Sequence, residues 1–172
     1  MGRQNIVFLG DSLIEFFDWQ ARFPRHKIIN LGRAGETVQE LSRRCQRLTL
    51  AKPAPDWIFV MIGTNNVSMD DYSFLPAYEK TIDTLQEKFP TAKLVVTGLF
   101  PLRLPWLAED AVPRLNKLLF DLALSKECVF MDGCWVFARS PLGLSRCFLD
   151  DGVHLSDHGY DLWASEVEKY IT

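Results

Sequence analysis

Five short apolar runs, separated by segments with a helical pattern, limit the fold of this chain more than any other feature. The runs are rich in β-branched residues, so they predict strands at residues 5–10, 27–31, 56–63, 93–99 and 128–132. The third run is apolar through its centre rather than alternating, which is typical of a strand buried on both faces of a parallel sheet. We therefore expect an α/β sandwich with a five-stranded parallel sheet.

The segments between the runs carry helix signals. Thr37 and Glu40 form a T-x-x-E capping box, which predicts the start of a helix. An apolar stripe at helical spacing follows it, formed by Val38, Leu41, Cys45 and Leu48. Further helices are predicted over residues 73–88 and 108–126, and the last helix begins near Ser156.

Length and composition predict one globular domain over residues 1–172. A content of 48% hydrophobic and 24% charged residues is ordinary for a soluble protein. A chain of this length buries roughly 70% of the surface that it exposes when unfolded. The formal net charge is −3 and the basic residues are scattered, which argues against a nucleic-acid partner.

Targeting and redox features favour a cytoplasmic protein. No run of 18 apolar residues predicts a transmembrane helix. The first apolar run, residues 6–9, is too short for a secretory signal and leads directly into residues 10–12. The four cysteines show no C-x-x-C pair and no metal-like clustering, so we expect reduced thiols, with Cys45 and Cys128 in the core.

Polar segments follow the carboxyl ends of the predicted strands, the edge at which open α/β sheets hold their ligands. In chain order these segments are Gly10-Asp11-Ser12, Asn30-Leu31-Gly32, Gly63-Thr64-Asn65-Asn66 and, after a longer loop, Asp150-Asp151-Gly152-Val153-His154. A nucleophile, amide donors and a histidine with nearby carboxylates thus converge on one edge of the sheet. This convergence predicts an active site.

Ser12 is the candidate nucleophile, since it follows the first strand directly and should open a helix whose N–H groups face the crevice. A hydroxyl needs a base to take its proton. Of the three histidines, His26 precedes the second strand and lies at the wrong end, so His154 and His158 remain.

An aspartate three residues before His154 can turn back to hold Nδ1 of its ring, which favours Asp151 over its neighbour Asp150. Taken singly, these residues are less informative. Ser12 alone is as typical of a helix N-cap as of a nucleophile, and His154 alone is more typical of a surface or capping histidine.

Four segments together resemble the four sequence blocks of the SGNH/GDSL hydrolases, in the family's order and spacing. They are Gly10-Asp11-Ser12-Leu13, the segment Asn-Leu-Gly-Arg-Ala-Gly-Glu-Thr that contains Gly32, Gly63-Thr64-Asn65-Asn66, and Asp151-Gly-Val-His154-Leu-Ser. Within the family, the chain is most similar to acetylhydrolases of the platelet-activating-factor type and to carbohydrate acetylesterases. The resemblance implies a three-layer α/β/α sandwich, the flavodoxin-like SGNH hydrolase fold.

The resemblance also implies residue roles. The implied triad is Ser12 as nucleophile, His154 as base and Asp151 as the acid that orients it. The implied oxyanion hole combines the N–H groups of Ser12 and Gly32 with the side-chain amide of Asn65. Many members carry Asp where this chain has Asn66, so we expect the hydrogen bonds around the hole to differ. No cofactor or metal is expected.

Candidate substrate contacts are Asp11, Arg33, Leu102, Arg103 and Trp106. Residues 100–107 follow the fourth predicted strand and carry five apolar side chains between or beside two prolines, which is unusual for a solvated loop. This loop is interpreted either as an acyl-pocket wall or interfacial rim, or as a segment folded onto the core or against a second copy. A homo-oligomer therefore stays open, and the arginines either face an anionic substrate group or are solvated.

The function predicted from these observations is hydrolysis of a small-molecule carboxylic ester, with a short acyl or acetyl group, through an acyl-enzyme. A lysophospholipase or thioesterase acting on longer chains is the alternative. A non-catalytic flavodoxin-like module is disfavoured, because the Gly-Asp-Ser-Leu-Ile-Glu segment places two acids where a phosphate would bind. A pseudo-enzyme is disfavoured because every role is filled, and no G-x-S-x-G elbow points to an α/β-hydrolase.

Overall fold

The strands form one all-parallel sheet in the computed structural model, which describes residues 2–50 and 53–171. The strands are β1 (Asn5–Gly10), β2 (Lys27–Gly32), β3 (Trp57–Met61), β4 (Lys93–Thr97) and β5 (Val129–Met131). Their order across the sheet is β2-β1-β3-β4-β5. The predicted parallel sheet is thus confirmed, and β1 lies inside it, paired with both β2 and β3.

The helices in the described residues are α1 (Ser12–Glu15), α2 (Trp19–Arg22), α3 (Val38–Gln46), α4 (Thr64–Ser68), α5 (Leu75–Lys88), α6 (Ala111–Ser125), α7 (Gly133–Ala138) and α8 (Asp157–Ile171). A 3₁₀ turn covers Leu144–Cys147. Among these helices, none combines the length and apolar character needed to cross a bilayer.

The long helices match the sequence predictions to within a few residues. The capping box of α3 is present: the Thr37 hydroxyl accepts from the Glu40 N–H, and the Glu40 carboxylate accepts from the Thr37 N–H at 2.9 Å. The short helices α2, α4 and α7 were not predicted. A helix of four to six residues completes too few turns to show an apolar period.

Alternate residues of β1 pack in two separate apolar clusters. Ile6 and Phe8 pack with residues of α1, α2, α7 and α8, whereas Val7 and Leu9 pack with residues of α3, α4, α5 and α6. Because side chains alternate across a strand, these clusters lie on opposite faces of the sheet. The protein is therefore a three-layer α/β/α sandwich, as predicted.

The four cysteines are free thiols. Cys45 is buried on α3, as predicted. The prediction that Cys128 lies in the core is confirmed only in part: it precedes the edge strand β5 and is partly buried against the margin of a core cluster. Cys147, by contrast, is completely buried.

Gly10 ends β1 and allows the chain to turn into α1. A Cβ atom at this position would lie 1.9 Å from the Met61 carbonyl oxygen of β3 and 2.7 Å from Cγ1 of Ile14. Only a residue without a side chain fits between this strand end and the helix that follows. Gly10 thereby determines where Ser12 emerges above the sheet.

Gly10→Ala should therefore destabilise the fold, because the added methyl group overlaps backbone that cannot move away cheaply. We expect the free energy of unfolding to fall by about 3 kcal/mol. Gly2→Ala is the matched control, since a Cβ there has no neighbour within 4 Å, and its stability should be unchanged. Urea unfolding at one pH measures both variants, and equal stabilities would contradict this role of Gly10.

Candidate active site

The polar segments predicted to converge do meet at the carboxyl edge of the sheet. Ser12 opens α1 directly after β1, and Asn65 lies in the first turn of α4, two residues beyond Gly63. His154 precedes α8, which packs beside α1 through a hydrogen bond from the Tyr160 hydroxyl to the Leu13 carbonyl at 3.1 Å. This contact holds the two ends of the chain together.

Ser12, His154 and Asp151 form a continuous chain of hydrogen bonds. Ser12 Oγ lies 3.0 Å from His154 Nε2, and His154 Nδ1 lies 2.6 Å from Asp151 Oδ2. A proton on Nδ1 is donated to the carboxylate, which leaves the lone pair of Nε2 facing the Ser12 hydroxyl. Ser12 is 6% exposed, whereas the His154 side chain is 32% exposed. The arrangement can therefore pass a proton between the serine and the imidazole.

The loop before α8 is folded around the same carboxylate. Asp151 Oδ1 accepts from the N–H groups of Val153 and His154, each at 2.9 Å, while Oδ2 faces the imidazole. The Leu149 N–H donates to the His154 carbonyl at 2.8 Å and closes the loop. The three-residue spacing thus lets one aspartate hold both the backbone and the ring of the histidine.

The pKa of Asp151 lies below its usual value, so the group is ionised near neutral pH. Partial desolvation raises the pKa, but the hydrogen bonds from the His154 ring and from the N–H groups of Val153 and His154 outweigh it. An ionised carboxylate is the state that can stabilise an imidazolium.

The alternatives to Asp151 and His154 lie away from the Ser12 hydroxyl. Asp150 is exposed, and Nε2 of His158 lies 3.0 Å from Oγ of Ser140 rather than beside Ser12. His26 is bonded to the N-terminal segment, where its Nδ1 accepts from the Gln4 N–H at 3.3 Å.

His154 and His158, four residues apart, have different hydrogen-bond partners, Ser12 and Ser140. Ser156 separates the two residues by capping α8, and its Oγ accepts from the Gly159 N–H at 3.1 Å. Over residues 2–50 and 53–171, no cluster of three or more His, Cys, Asp or Glu side chains could hold a metal ion.

Asn65 is partly exposed and lies at the same carboxyl edge of the sheet as Ser12. Its side-chain amide group donates one hydrogen bond within the protein. Nδ2 donates to the Glu36 carbonyl at 3.0 Å, which orients the amide and leaves its second N–H available. Gly63, with a φ of +118°, makes the left-handed turn that leads from β3 into α4. An amide donor is thus presented on rigid backbone.

Asn66 has a structural role, in line with the different hydrogen bonds expected around it. The side chain is completely buried, and its Oδ1 accepts from the Val38 N–H at the start of α3 at 2.9 Å. Its Nδ2 donates at 2.8 Å to both Gln39 Oε1 and Asp71 Oδ2. An asparagine suits this place because one backbone donor and two acceptors surround it.

The prediction that Gly32 contributes to the oxyanion hole does not agree with its hydrogen bonding. The Gly32 N–H donates to Asn30 Oδ1 at 2.9 Å. Gly35, three residues further, adopts a φ of +77° in an exposed loop, and its N–H has no hydrogen-bond partner within the described part of the chain. Gly35 adjoins Glu36, whose carbonyl holds the Asn65 amide, so Gly35 is the better candidate for the donor.

The prediction that Asp11 contacts substrate is wrong, because its side chain is completely buried. Oδ1 caps α1 by accepting from the Leu13 N–H at 3.0 Å, and Oδ2 has no hydrogen-bond partner in the described residues. Desolvation raises the pKa of Asp11 to about 7. The residue supports the turn before Ser12 from below.

The loop after β4 packs onto the core in part, since Phe100 is buried and Leu107 is partly buried. Leu102 is partly buried against the cluster beneath α5 and α6, whereas Trp106 is 63% exposed. The Arg103 side chain is exposed, whereas the backbone N–H of Arg103 donates to the Gly152 carbonyl at 2.9 Å. A Cβ at Gly152 would lie 2.7 Å from the Arg103 carbonyl oxygen, so the loop buttresses the turn that carries Asp151.

Arg33 is exposed, and its backbone N–H donates to the Gly10 carbonyl at 2.9 Å, two residues before Ser12. It lines a surface groove with Arg43 and Arg44 of α3 and with Arg47, just beyond the end of that helix. The structure places Arg33 near the site's backbone but gives no contact between its side chain and the triad.

Phe16 was not predicted and belongs to the site's surface. Its ring lies 5.7 Å from the His154 ring, centroid to centroid, and the side chain is 61% exposed. With Leu149 it lines a groove beside the imidazole. The position four residues after Ser12 was a usable signal, since residues i and i+4 share a helix face.

The chain belongs to the GDSL-like Lipase/Acylhydrolase family, which matches residues 8–162, and it is therefore a hydrolase that acts on ester bonds. It is 28% identical to the platelet-activating factor acetylhydrolase IB subunit alpha1 of Bos taurus, over 161 residues that cover 90% of this chain and 69% of the relative.

Solved structures share the fold. A protein from Streptococcus pneumonia, provisionally named a platelet activating factor, superposes with a TM-score of 0.87 at 24% identity, covering 99% of this chain and 85% of the other. A catalytic mutant of an acetylxylan esterase from Geobacillus stearothermophilus gives a TM-score of 0.76 at 21% identity, with 99% and 95% covered.

The buried Asp11 predicts a pH-dependent stability. Since its pKa rises from 3.8 to about 7 on folding, the folded protein keeps a proton that the unfolded chain has released in this window. Its contribution to the free energy of unfolding therefore falls as pH rises from about 4 to about 7, by on the order of 4 kcal/mol. Asp11→Asn keeps the cap acceptor but cannot ionise, so it removes this fall.

Urea unfolding of both proteins between pH 4 and pH 8 measures the effect. The stability of Asp11→Asn relative to the parent should increase with pH across the window and level off above it. Asp150→Asn, which makes the same substitution at an exposed position, is the matched control. A pH-independent difference for Asp11→Asn would contradict the buried, protonated carboxyl.

Proposed function

We propose that the chain is a serine esterase that cleaves a carboxylic ester through an acyl-enzyme formed on Ser12. The observation that carries the proposal is the unbroken chain of hydrogen bonds from Ser12 Oγ through His154 to Asp151, at 3.0 and 2.6 Å. A serine hydroxyl needs such a base to become nucleophilic. A helix cap needs neither the histidine nor the carboxylate behind it.

Acylation begins when Ser12 Oγ attacks the ester carbonyl carbon and His154 Nε2 takes the hydroxyl proton. The carbonyl π bond opens and its oxygen becomes an oxyanion. As the carbonyl re-forms, the bond to the alkoxy group breaks, and the imidazolium gives its proton to the departing oxygen. Asp151 remains ionised and stabilises the imidazolium throughout.

Deacylation repeats the sequence with water. The imidazole takes a proton from water as the water oxygen attacks the acyl carbon, and returns it to Ser12 Oγ when the acyl-enzyme bond breaks. The products are a carboxylic acid, the alcohol and the free serine, so atoms balance without a cofactor.

The oxyanion of each tetrahedral intermediate would accept hydrogen bonds from the N–H groups of Ser12 and Gly35 and from Asn65 Nδ2. Two features support this set: the Ser12 N–H lies at the N-terminus of α1, and the Gly35 N–H is unused within the residues described. Preorganised donors of this kind contribute mainly in the transition state, where charge develops.

A short acyl group is the substrate class that we propose. The names of the similar proteins, an acetylhydrolase and an acetylxylan esterase, support it. The surface beside His154 supports it too, because Phe16 and Leu149 border an open groove. An open surface suits a varied alcohol portion.

The triad assignment predicts which of two neighbours is essential. His154→Ala should reduce kcat to near the background, because triad members act as a unit. Asp151→Asn should lower kcat by up to about 10⁴, the loss known for the chymotrypsin-type triad, because the imidazole loses its orienting charge. Steady-state hydrolysis of p-nitrophenyl acetate measures both.

Each variant has a matched control in the chain. His158→Ala and Asp150→Asn change the same residue types nearby, outside the hydrogen-bonded chain, and should retain kcat within about threefold. A dead His158→Ala with an active His154→Ala would overturn the choice of base, and a larger loss in Asp150→Asn than in Asp151→Asn would transfer the orienting role.

A further inference from the structure

A buried ion pair lies behind the loop that joins β2 to α3. Arg44 Nε donates to Glu36 Oε1 at 2.7 Å, and Arg44 Nη2 lies 2.5 Å from Glu36 Oε2. Nη2 also donates to the Leu31 carbonyl at the end of β2, at 3.0 Å. The two side chains are only 12% and 6% exposed. The guanidinium thus connects α3, the loop and the sheet at once.

The backbone of Glu36 is bound to the candidate site. Its carbonyl accepts from Asn65 Nδ2 at 3.0 Å, and its N–H donates to the Arg33 carbonyl at 3.1 Å. Gly35, immediately before it, carries the unused N–H proposed for the oxyanion hole. The side chain of Glu36 is therefore held by Arg44, and its backbone carbonyl holds the Asn65 amide.

Hydrogen bonds rather than side-chain packing hold the loop. Gly35 has a φ of +77° and no atom within 4 Å of the position of a Cβ. The Ala34 N–H donates to Glu15 Oε2 on one side of it, and Glu36, bonded to Asn65 and Arg44, holds the other side. A bidentate guanidinium–carboxylate pair fixes the direction of both groups, which a lysine ammonium does not. Stability alone is a weak reason for burying two charges, since apolar residues often serve equally well.

We propose that Arg44 is a positioning residue for the oxyanion hole: through Glu36 it fixes the Gly35 N–H and the Asn65 amide relative to Ser12. The inference rests on the proposed function, because it assigns Arg44 to the hole of that reaction. Arg44 touches neither the triad nor the substrate, and it acts only through the loop.

The proposal predicts a loss in kcat that depends on Asn65. A displacement of the donors by a fraction of an ångström weakens their bonds to the oxyanion, so Arg44→Met should lower kcat about 10- to 100-fold with KM changed less than twofold. Arg44→Lys keeps the charge but not the fork, and should lose less. Asn65→Ala alone should lower kcat by about 10²–10³.

The double variant Arg44→Met/Asn65→Ala shows whether Arg44 positions the oxyanion hole or only stabilises the fold. If Arg44 acts through the hole, Arg44→Met in the Asn65→Ala background should cost less than about threefold further, because much of the interaction is already lost. Kinetics with p-nitrophenyl acetate under conditions in which circular dichroism shows folded protein provide the measurement. Should Arg44→Met not fold, the same comparison of single and double variants is made with Arg44→Lys.

Two controls separate the ion pair from its surroundings. Ile82→Ala empties a completely buried position on α5 and should lower the unfolding midpoint at least as much, with kcat unchanged. Arg22→Met removes the pair with Glu168, 3.0 Å long and distant from the loop, and should leave kcat unchanged.

Full additivity of Arg44→Met and Asn65→Ala, or a loss confined to KM, would overturn the positioning role. Failure of the proposed function would look different: Ser12→Ala would retain esterase activity, whatever the outcome at Arg44.

Discussion

The hydrogen bond between Ser12 and His154 joins residues 142 positions apart, and the rest of the site depends on it. It requires β1 to end beside β3 at Gly10, so that Ser12 emerges above the sheet. It also requires α8 to pack against α1, where the Tyr160 hydroxyl binds the carbonyl next to the serine. The sheet and the last helix therefore act as a rigid frame that brings two short polar segments together.

Three carboxyl groups near this hydrogen bond have different surroundings, and these surroundings set the state of each group. Asp151 has hydrogen-bond donors and a pKa below its usual value, so it stays charged behind the imidazole. Asp11 is desolvated, with a pKa raised to about 7, and supports the turn as a cap. Glu36 is paired with Arg44 and holds the loop beside Asn65. Identical chemistry thus gives an orienting group, a structural cap and a proposed positioning link.

The strands and the long helices were predictable because apolar period, caps and strand ends are visible in sequence. The meeting of Ser12, Asp151 and His154 was predictable from the strand ends and from the four family-like blocks. The hydrogen bonds around Gly32 and Asp11 were not. Gly32 lies in the expected segment, yet its only N–H is taken by Asn30, and this partner is defined by a side-chain rotamer that no spacing reveals. Asp11 adjoins Ser12 in sequence but points into the core, a direction that depends on the turn after β1.

His154 is proposed to activate Ser12 as a nucleophile. Reaction with a fluorophosphonate followed by peptide mass spectrometry is the sharpest test, because only an activated serine forms the adduct. We expect one adduct, on the peptide containing Ser12, which is lost in His154→Ala and retained in His158→Ala. An adduct on another serine, or none in a preparation that hydrolyses p-nitrophenyl acetate, would contradict it.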